Sequence, residues 1–137
     1  MMEQKRIMVD MSATLIHHGH IRLLKKAAEH GRVIVGLTTD DEIESKKGFK
    51  PELAFKYRKE VLEAIKYVDE VRTYTTEQEL YDMLIEISPY IRIVGSDWKG
   101  NPNFTGGDLG IHVHYHDRNH NHSTTNLRKR VFKSENK

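Results

Sequence analysis

Short apolar runs alternate along the chain with longer segments of helical periodicity, and this alternation restricts the fold more than any other feature. Strands are predicted at Lys5–Asp10, Arg32–Leu37, Val71–Tyr74, Tyr90–Gly95 and Ile111–His116. Helices are predicted at Ile21–His30, Ala54–Tyr67, Glu77–Ile87 and Ser123–Phe132, with Ser123 or Thr124 as the last cap. The charged segment 38–51 is predicted to be a loop. Strands and helices in this order are typical of parallel βαβ units. The sequence therefore predicts a Rossmann-like α/β fold, an open parallel sheet with helices on both faces.

The length and composition narrow the class of protein further. With 137 residues, the chain fits a single domain over 1–137, with one hydrophobic core. The formal net charge of +2 does not require a nucleic-acid partner, and we expect none. Since no apolar stretch approaches the length of a membrane span, we also expect no membrane partner and a cytoplasmic protein. The absence of cysteine excludes disulfides, thiolate metal sites and thiol nucleophiles.

Polar loops follow four of the predicted strands. They span Ser12–His20, Thr38–Lys50, Gly95–Lys99 and Arg118–Thr125. In an open parallel sheet, ligands bind at the carboxyl ends of the strands, where the chain order reverses. The fold and the composition therefore predict a ligand site at the same edge of the sheet.

Two of these loops carry groups suited to phosphate. His17 and His20 flank Gly19 at a predicted helix start, where both imidazoles can face one ligand and the glycine leaves room for a phosphate beside the backbone. The alternative is a pair of surface histidines. Near the C-terminus, Ser123-Thr124-Thr125 opens the last predicted helix, five residues after Arg118. Hydroxyl and amide groups at a helix start also bind phosphate, although such a triplet alone is an ordinary cap.

Five segments in order resemble one family. They are Leu15-Ile16-His17-His18-Gly19-His20, Tyr57-Arg58-Lys59, Lys66-Tyr67-Val68-Asp69-Glu70-Val71, Gly95-Ser96-Asp97-Trp98-Lys99-Gly100, and Arg118 with Ser123-Thr124-Thr125. Together they are similar to the small HxGH cytidylyltransferases, which include glycerol-phosphate enzymes and cytidylyltransferase-like domains of phosphonate pathways. The resemblance covers nearly the whole chain.

The resemblance implies an activity and a set of site residues. It implies transfer of CMP from CTP to a small phosphate or phosphonate acceptor, with release of pyrophosphate, use of Mg²⁺ or Mn²⁺, and a homodimer. The catalytic residues that it implies are His17, His20, Lys46 and Arg118. The binding residues that it implies are Ser12, Ala13, Thr14, Gly19, Lys47, Arg58, Asp97, Trp98, Ser123, Thr124 and Thr125.

The chain also departs from the family pattern. The family usually carries an acidic residue three places before the first motif histidine, where this chain has Thr14. Asp10 lies too early in the chain to be assumed a replacement, and Asn121-His122 stand where a glycine and an apolar residue are usual. Two other hypotheses therefore stay open, an adenylyltransferase that uses ATP and a non-catalytic nucleotide-binding module. The acceptor also stays open.

Two further interpretations concern residues outside these motifs. His112, His114 and His116 alternate along a predicted strand, so they share one face. That arrangement fits either a metal ion or a solvated edge strand, and no metal ligand is assigned. Tyr90 is predicted to lie in the core.

Overall fold

Five parallel strands form one sheet in the order β3-β2-β1-β4-β5. The computed structural model describes residues 5–11, 16–48, 50–51, 53–95 and 105–116. The strands are β1 Arg6–Met11, β2 Arg32–Thr38, β3 Glu70–Tyr74, β4 Ile91–Gly95 and β5 Val113–His116. The helices are α1 His18–Ala28, α2 Asp40–Lys47, α3 Phe55–Ala64 and α4 Glu77–Ile87. The predicted Rossmann-like α/β fold is confirmed.

The core lies on both faces of the sheet because helices cover both. Side chains of β1 alternate, so Ile7 and Val9 point to one face and Met8 to the other. The first face packs against Leu24 and Ala27 of α1 and Leu62 of α3. The second face packs against α4, through Leu80, Met83, Leu84 and Ile87. A sheet buried on both faces needs near-continuous apolar strands, which explains the runs seen in β1, β2 and β4.

The segment predicted as a charged loop contains a helix instead. Thr39 caps α2 by accepting a hydrogen bond from the Glu42 amide at 3.4 Å, and Gly48 ends the helix at φ 77°. The acidic residues of the first turn stabilise the helix, because their negative charge interacts with the positive end of the helix dipole. Ile43 is the one residue of α2 that is both apolar and buried. The helix therefore lacks the apolar periodicity on which the sequence prediction depended.

Other boundaries differ less. Helix α1 begins at His18, earlier than the predicted Ile21, because a histidine rather than a serine or threonine caps it. Helix α3 is shorter than predicted, and Tyr57 on its surface is 52% exposed. The predicted last helix at 123–132 lies outside the described residues.

The prediction that Tyr90 lies in the core is wrong. Its side chain is 54% exposed, and the Lys5 ammonium lies 4.1 Å from the ring centroid. Its amide donates a hydrogen bond to the Arg6 carbonyl at 2.8 Å, so the backbone enters the sheet while the ring stays at the surface. The described helices include none that is long and apolar enough to span a bilayer.

Candidate active site

The chain order reverses at the centre of the sheet, between β1 and β4. Strand β1 pairs with β2 on one side and with β4 on the other, and all three run in the same direction. Their carboxyl ends therefore meet at one edge, where α1 begins after β1. This is the position at which open α/β sheets bind ligands. We call it the ligand edge.

His17 and His20 lie together at the start of α1, as predicted. The Gly19 amide donates to Nδ1 of His17 at 3.0 Å, and the His17 amide donates to Nδ1 of His20 at 3.1 Å. Each imidazole thus accepts one backbone N–H of the helix start, which makes a reciprocal capping box from two histidines. The ring centroids are 4.3 Å apart.

The cap also determines which ring nitrogen carries the proton. Because Nδ1 of each ring accepts a backbone N–H, the hydrogen of a neutral imidazole must lie on Nε2. Both rings therefore offer an Nε2–H donor, and two such donors suit an oxygen atom that gains negative charge. The same hydrogen bonds fix the orientation of each ring, because they hold its Nδ1 atom. The capping geometry thus prepares the pair for an anionic ligand.

Gly19 is buried inside this turn. Its amide is engaged by His17, so the two imidazoles rather than the Gly19 N–H are the donors suited to a phosphate at this helix start.

A second polar cluster joins α2 to α3 after β2. The Arg58 guanidinium is fully buried and donates to Asp40 Oδ1 at 2.7 Å and to the Leu53 carbonyl at 3.0 Å. The same carboxylate accepts the Phe55 amide at 2.9 Å. Since Ala54 supplies no side-chain cap, Asp40 caps α3 from fifteen residues upstream. Arg58 is thus held within the structure, and its predicted ligand contact stays a prediction.

A third cluster joins β1 to β4. The Arg92 side chain is 2% exposed and binds Asp10 in bidentate fashion, with Nε–Oδ1 at 2.9 Å and Nη2–Oδ2 at 3.2 Å. Its Nη1 donates to the Thr105 carbonyl. The Asp10 carboxylate is therefore bound by an arginine, and whether it replaces the acidic group usual at the position of Thr14 stays open.

Tyr74 ends β3 on the same face as this cluster. Burial raises the pKa of the Tyr74 hydroxyl far above its ordinary value, and the Asp10 carboxylate raises this pKa further. The hydroxyl therefore stays protonated at neutral pH. Next to it in register, Thr38 is 8% exposed, and its hydroxyl has no hydrogen-bond partner among the residues that the structure describes.

The histidines of the last strand form no metal centre in the described part of the chain. Strand β5 begins at Val113, so His112 precedes it, and Val113 is only half-buried. No group of three or more histidine, cysteine, aspartate or glutamate side chains among the described residues is arranged to hold a metal ion. Burial lowers the pKa of His114, and nearby Lys26 lowers it further.

The remaining predicted site residues lie partly outside the described ranges. Lys46 and Lys47 form the end of α2, and the contacts predicted for them stay predictions. The residues outside the described ranges are Ser12, Ala13, Thr14, Asp97, Trp98, Arg118, Ser123, Thr124 and Thr125. Their roles stay predictions.

Sequence reasoning assigned no role to three residues of these clusters. Asp40, Asp10 and Arg92 are polar groups at or near strand ends, and each forms an ion pair with a residue distant in the chain. One signal was present in the sequence, because Arg92 interrupts an otherwise apolar strand. A charge at such a position requires a partner, although the partner cannot be identified without the strand order.

Comparisons with known proteins agree with this architecture. The family model described as Cytidylyltransferase-like matches residues 12–130. Glycerol-3-phosphate cytidylyltransferase of Bacillus spizizenii is 34% identical over 128 residues, which cover 91% of this chain and 95% of that protein. FAD synthase of Pyrococcus horikoshii is 33% identical over 93 residues, which cover 67% of this chain and 63% of that protein.

Among solved structures, the lipopolysaccharide core biosynthesis protein from Thermoplasma volcanium GSS1 has the same fold. It superposes with a TM-score of 0.68 at 24% identity, over 84% of this chain and 96% of that chain. At this identity, the likeness concerns the fold alone.

Proposed function

The chain belongs to the cytidylyltransferase-like family, and we propose that it transfers CMP from CTP to a small phosphorylated or phosphonate acceptor. The observation that carries the proposal is the pair of Nε2–H donors from His17 and His20 at the ligand edge. Similarity to glycerol-3-phosphate cytidylyltransferase over 91% of the chain supports the same reaction class. Among acceptors, a polyol phosphate such as glycerol phosphate is the first to test.

The reaction is a direct displacement at the α-phosphorus of CTP. An oxygen of the acceptor attacks that phosphorus, the bond to the oxygen that bridges the α- and β-phosphates breaks, and pyrophosphate leaves with the bonding pair. A phosphate monoester is mostly ionised near neutral pH, because its second pKa is about 6. No general base is therefore needed. Catalysis consists of aligning the reactants and stabilising the charge on the phosphate oxygens.

The chain's own residues supply that stabilisation. His17 and His20 donate through Nε2–H to phosphate oxygens as their charge grows, and the capping bonds keep both rings oriented throughout. The proposal gives Lys46 or Lys47, Arg118 and the helix start at Ser123–Thr125 to the remaining phosphates, as the family resemblance implies. Arg58 is proposed to act through Asp40, because their bond fixes the start of α3 beside the ligand edge.

The described residues do not fit a protein cage for Mg²⁺. They contain no group of three or more suitable ligands, and the Asp10 carboxylate is bound to Arg92. This set of residues fits Mg²⁺ that enters with CTP and is held mainly by phosphate oxygens. When bound, the ion neutralises charge on the triphosphate. The homodimer implied by the resemblance belongs to the proposal as well.

A second candidate is transfer of AMP from ATP. The similarity to FAD synthase over 93 residues favours it, since that stretch covers 67% of the chain. The displacement and the role of the histidines are the same in both reactions. The two candidates differ only in the base that the protein accepts and in the acceptor.

The test is pyrophosphate release from CTP and, in parallel, from ATP, with Mg²⁺ and a panel of small phosphates and phosphonates. We expect release with CTP in the presence of one acceptor class. The double variant His17→Ala/His20→Ala should lose turnover by about 100-fold or more while remaining folded. His18→Ala is the matched control, because this exposed neighbour makes no bond of the capping box.

Each result has a distinct meaning. Release with ATP alone would move the protein to the second candidate. No release with either nucleotide would contradict both, and a folded double variant with normal turnover would contradict the role given to the histidines.

A further inference from the structure

We infer that Arg92 is a positioning residue for the nucleotide, because its guanidinium ties the end of β1 and the turn at residues 105–109 to the start of β4. The inference rests on the proposed function and extends it to a residue that contacts no reacting atom. Its guanidinium joins parts of the chain that are 82 residues apart, because it binds Asp10.

The register shows towards which edge the guanidinium reaches. The Cα of Arg92 pairs with Met8, whereas its side chain binds the carboxylate of Asp10, two residues further along β1. Two residues of a strand span about 6–7 Å. The guanidinium therefore lies closer to the ligand edge than its own backbone. It binds β1 immediately before the connection that leads to His17.

The same guanidinium holds the turn that follows β4. Its Nη1 donates to the Thr105 carbonyl, and the Thr105 hydroxyl donates to Glu77 on α4. Gly106 adopts φ 83°, and a Cβ there would lie 3.1 Å from Nη1 of Arg92 and 2.6 Å from Leu84 Cδ1. The turn thus packs so closely against Leu84 and Arg92, at a φ that favours glycine, that a side chain at position 106 would displace it.

Further bonds hold the rest of the turn against α4. The Tyr81 hydroxyl donates to Asp108 at 3.2 Å, and the Leu109 amide donates to the Gly106 carbonyl at 3.1 Å. The Leu109 side chain packs against the core cluster under α4. The end of the β4–β5 connection is therefore fixed at several points, and Arg92 links these points to β1.

A contribution to stability does not by itself explain the presence of the Arg92–Asp10 ion pair. Buried ion pairs can often be replaced by apolar residues without loss of stability, whereas their directional bonds define geometry. Arg92 also stands between Ile91 and Ile93, where an apolar residue would suit the sheet. The Asp10 carboxylate that Arg92 binds lies near the end of β1, at the edge of the sheet where α1 begins with the His17 and His20 pair. We therefore assign to Arg92 the placement of the nucleotide-binding part of the ligand edge.

The first test removes the pair while avoiding a lone buried charge. Asp10→Leu/Arg92→Met should stay folded, and its KM and calorimetric Kd for CTP should rise roughly tenfold or more, since small misplacements cost this much. The kcat at saturating CTP should change far less. Arg72→Met is the matched control, because this arginine lies on the same face of the sheet but binds Glu70 and Glu86.

The second variant displaces the turn and keeps the ion pair. Gly106→Ala should raise the KM for CTP in the same way, because a Cβ at φ 83°, 2.6 Å from Leu84 Cδ1 and 3.1 Å from Nη1 of Arg92, would displace the turn that Arg92 holds. If the double variant does not fold, Gly106→Ala alone tests the role proposed for Arg92. A merely structural role would lower the active fraction, so kcat would fall while KM and Kd stayed unchanged.

The outcomes separate this inference from the proposed function. Unchanged KM and Kd for CTP in the folded variants would overturn the role of Arg92 alone. Wild-type protein that bound neither CTP nor ATP would overturn the proposed function and this inference with it. A similar rise of KM in Arg72→Met would also overturn the inference, because the effect would not be specific to the β1–β4 pair.

Discussion

The two ends of the His17 ring have different tasks, and two substitutions can separate them. Nδ1 accepts the Gly19 amide at 3.0 Å and so caps α1, whereas Nε2–H is the donor proposed for the phosphate. Asparagine carries an oxygen at the distance of Nδ1 and nothing at the distance of Nε2. Glutamine reaches the position of Nε2 with its amide group but caps poorly. His17→Asn therefore keeps the cap, and His17→Gln keeps the donor.

The expected magnitudes follow from these contacts. Asparagine is among the best cap residues, so His17→Asn should change the free energy of unfolding by less than about 0.5 kcal/mol. His17→Gln should lower it by about 1 kcal/mol, which is the usual cost of a lost cap. Loss of one donor to a developing charge costs about 3 kcal/mol, so His17→Asn should lower kcat by roughly 100-fold. His17→Gln should retain much more of the wild-type kcat.

Urea denaturation measures the stability of each variant, and pyrophosphate release at saturating CTP measures its kcat. His18→Asn serves as the control for introducing asparagine beside the motif, and it should match wild type in both assays. A kcat of His17→Asn close to that of wild type would refute the donor role of Nε2. Equal destabilisation by asparagine and glutamine would refute the cap as the origin of the ring orientation.

Two other predictions concern stability. Asp40→Ala should lower the free energy of unfolding by about 2–3 kcal/mol, because it leaves the fully buried Arg58 without its carboxylate. This is less than the cost of breaking a fully buried ion pair, because the Asp40 side chain is 39% exposed and solvent screens it. Asp40→Asn should cost less in the same urea titration, and an equal cost would contradict the cap that the side-chain oxygen provides. The second prediction uses the pKa of His114, which burial, Lys26 and two neighbouring histidines lower below its ordinary value. As the pH falls, His114 takes up a proton in the unfolded chain before it does so in the folded protein. The stability that is present above about pH 6.5 is therefore lost as the pH falls towards the pKa of His114 in the folded protein. The urea concentration at the unfolding midpoint should therefore be lower at about pH 5 than at about pH 7.5, and His114→Gln should make this difference smaller. An identical difference in the variant would contradict the role of His114.

Most of the fold was predictable because its signals are local. The strands β1, β2 and β4 are buried on both faces, so their sequences are nearly continuous apolar runs. Helix α4 shows a clear apolar stripe and was predicted with the observed bounds, Glu77–Ile87. Helix α2 was missed because its stability comes from its ends, with Thr39 as cap and Gly48 as stop. A cap and a stop residue alone do not predict a helix, because both residue types also occur in loops.

In the candidate site, too, contacts between residues close in the sequence were predictable and contacts between distant residues were not. His17 and His20 are three residues apart, and one turn of helix brings them together, so a sequence motif was enough to predict their proximity. The partner of Arg92 could not be predicted, because Asp10 becomes its neighbour only when β4 pairs with β1. Strand order is a long-range property that apolar periodicity does not encode.

The two ion pairs explain why the described part of the ligand edge suits a polyphosphate better than a metal cage. Asp10 is engaged by Arg92, and Asp40 is engaged by Arg58 and the Phe55 amide. Each pair neutralises a carboxylate that would otherwise repel a triphosphate or compete with it for cations. The groups proposed to face the ligand are instead two imidazoles that backbone amides already orient, so they need no reorganisation as charge develops. We therefore expect the described part of the edge to favour phosphate, because Asp10 and Asp40 are already paired there, and we propose that the nucleotide itself brings in the divalent ion.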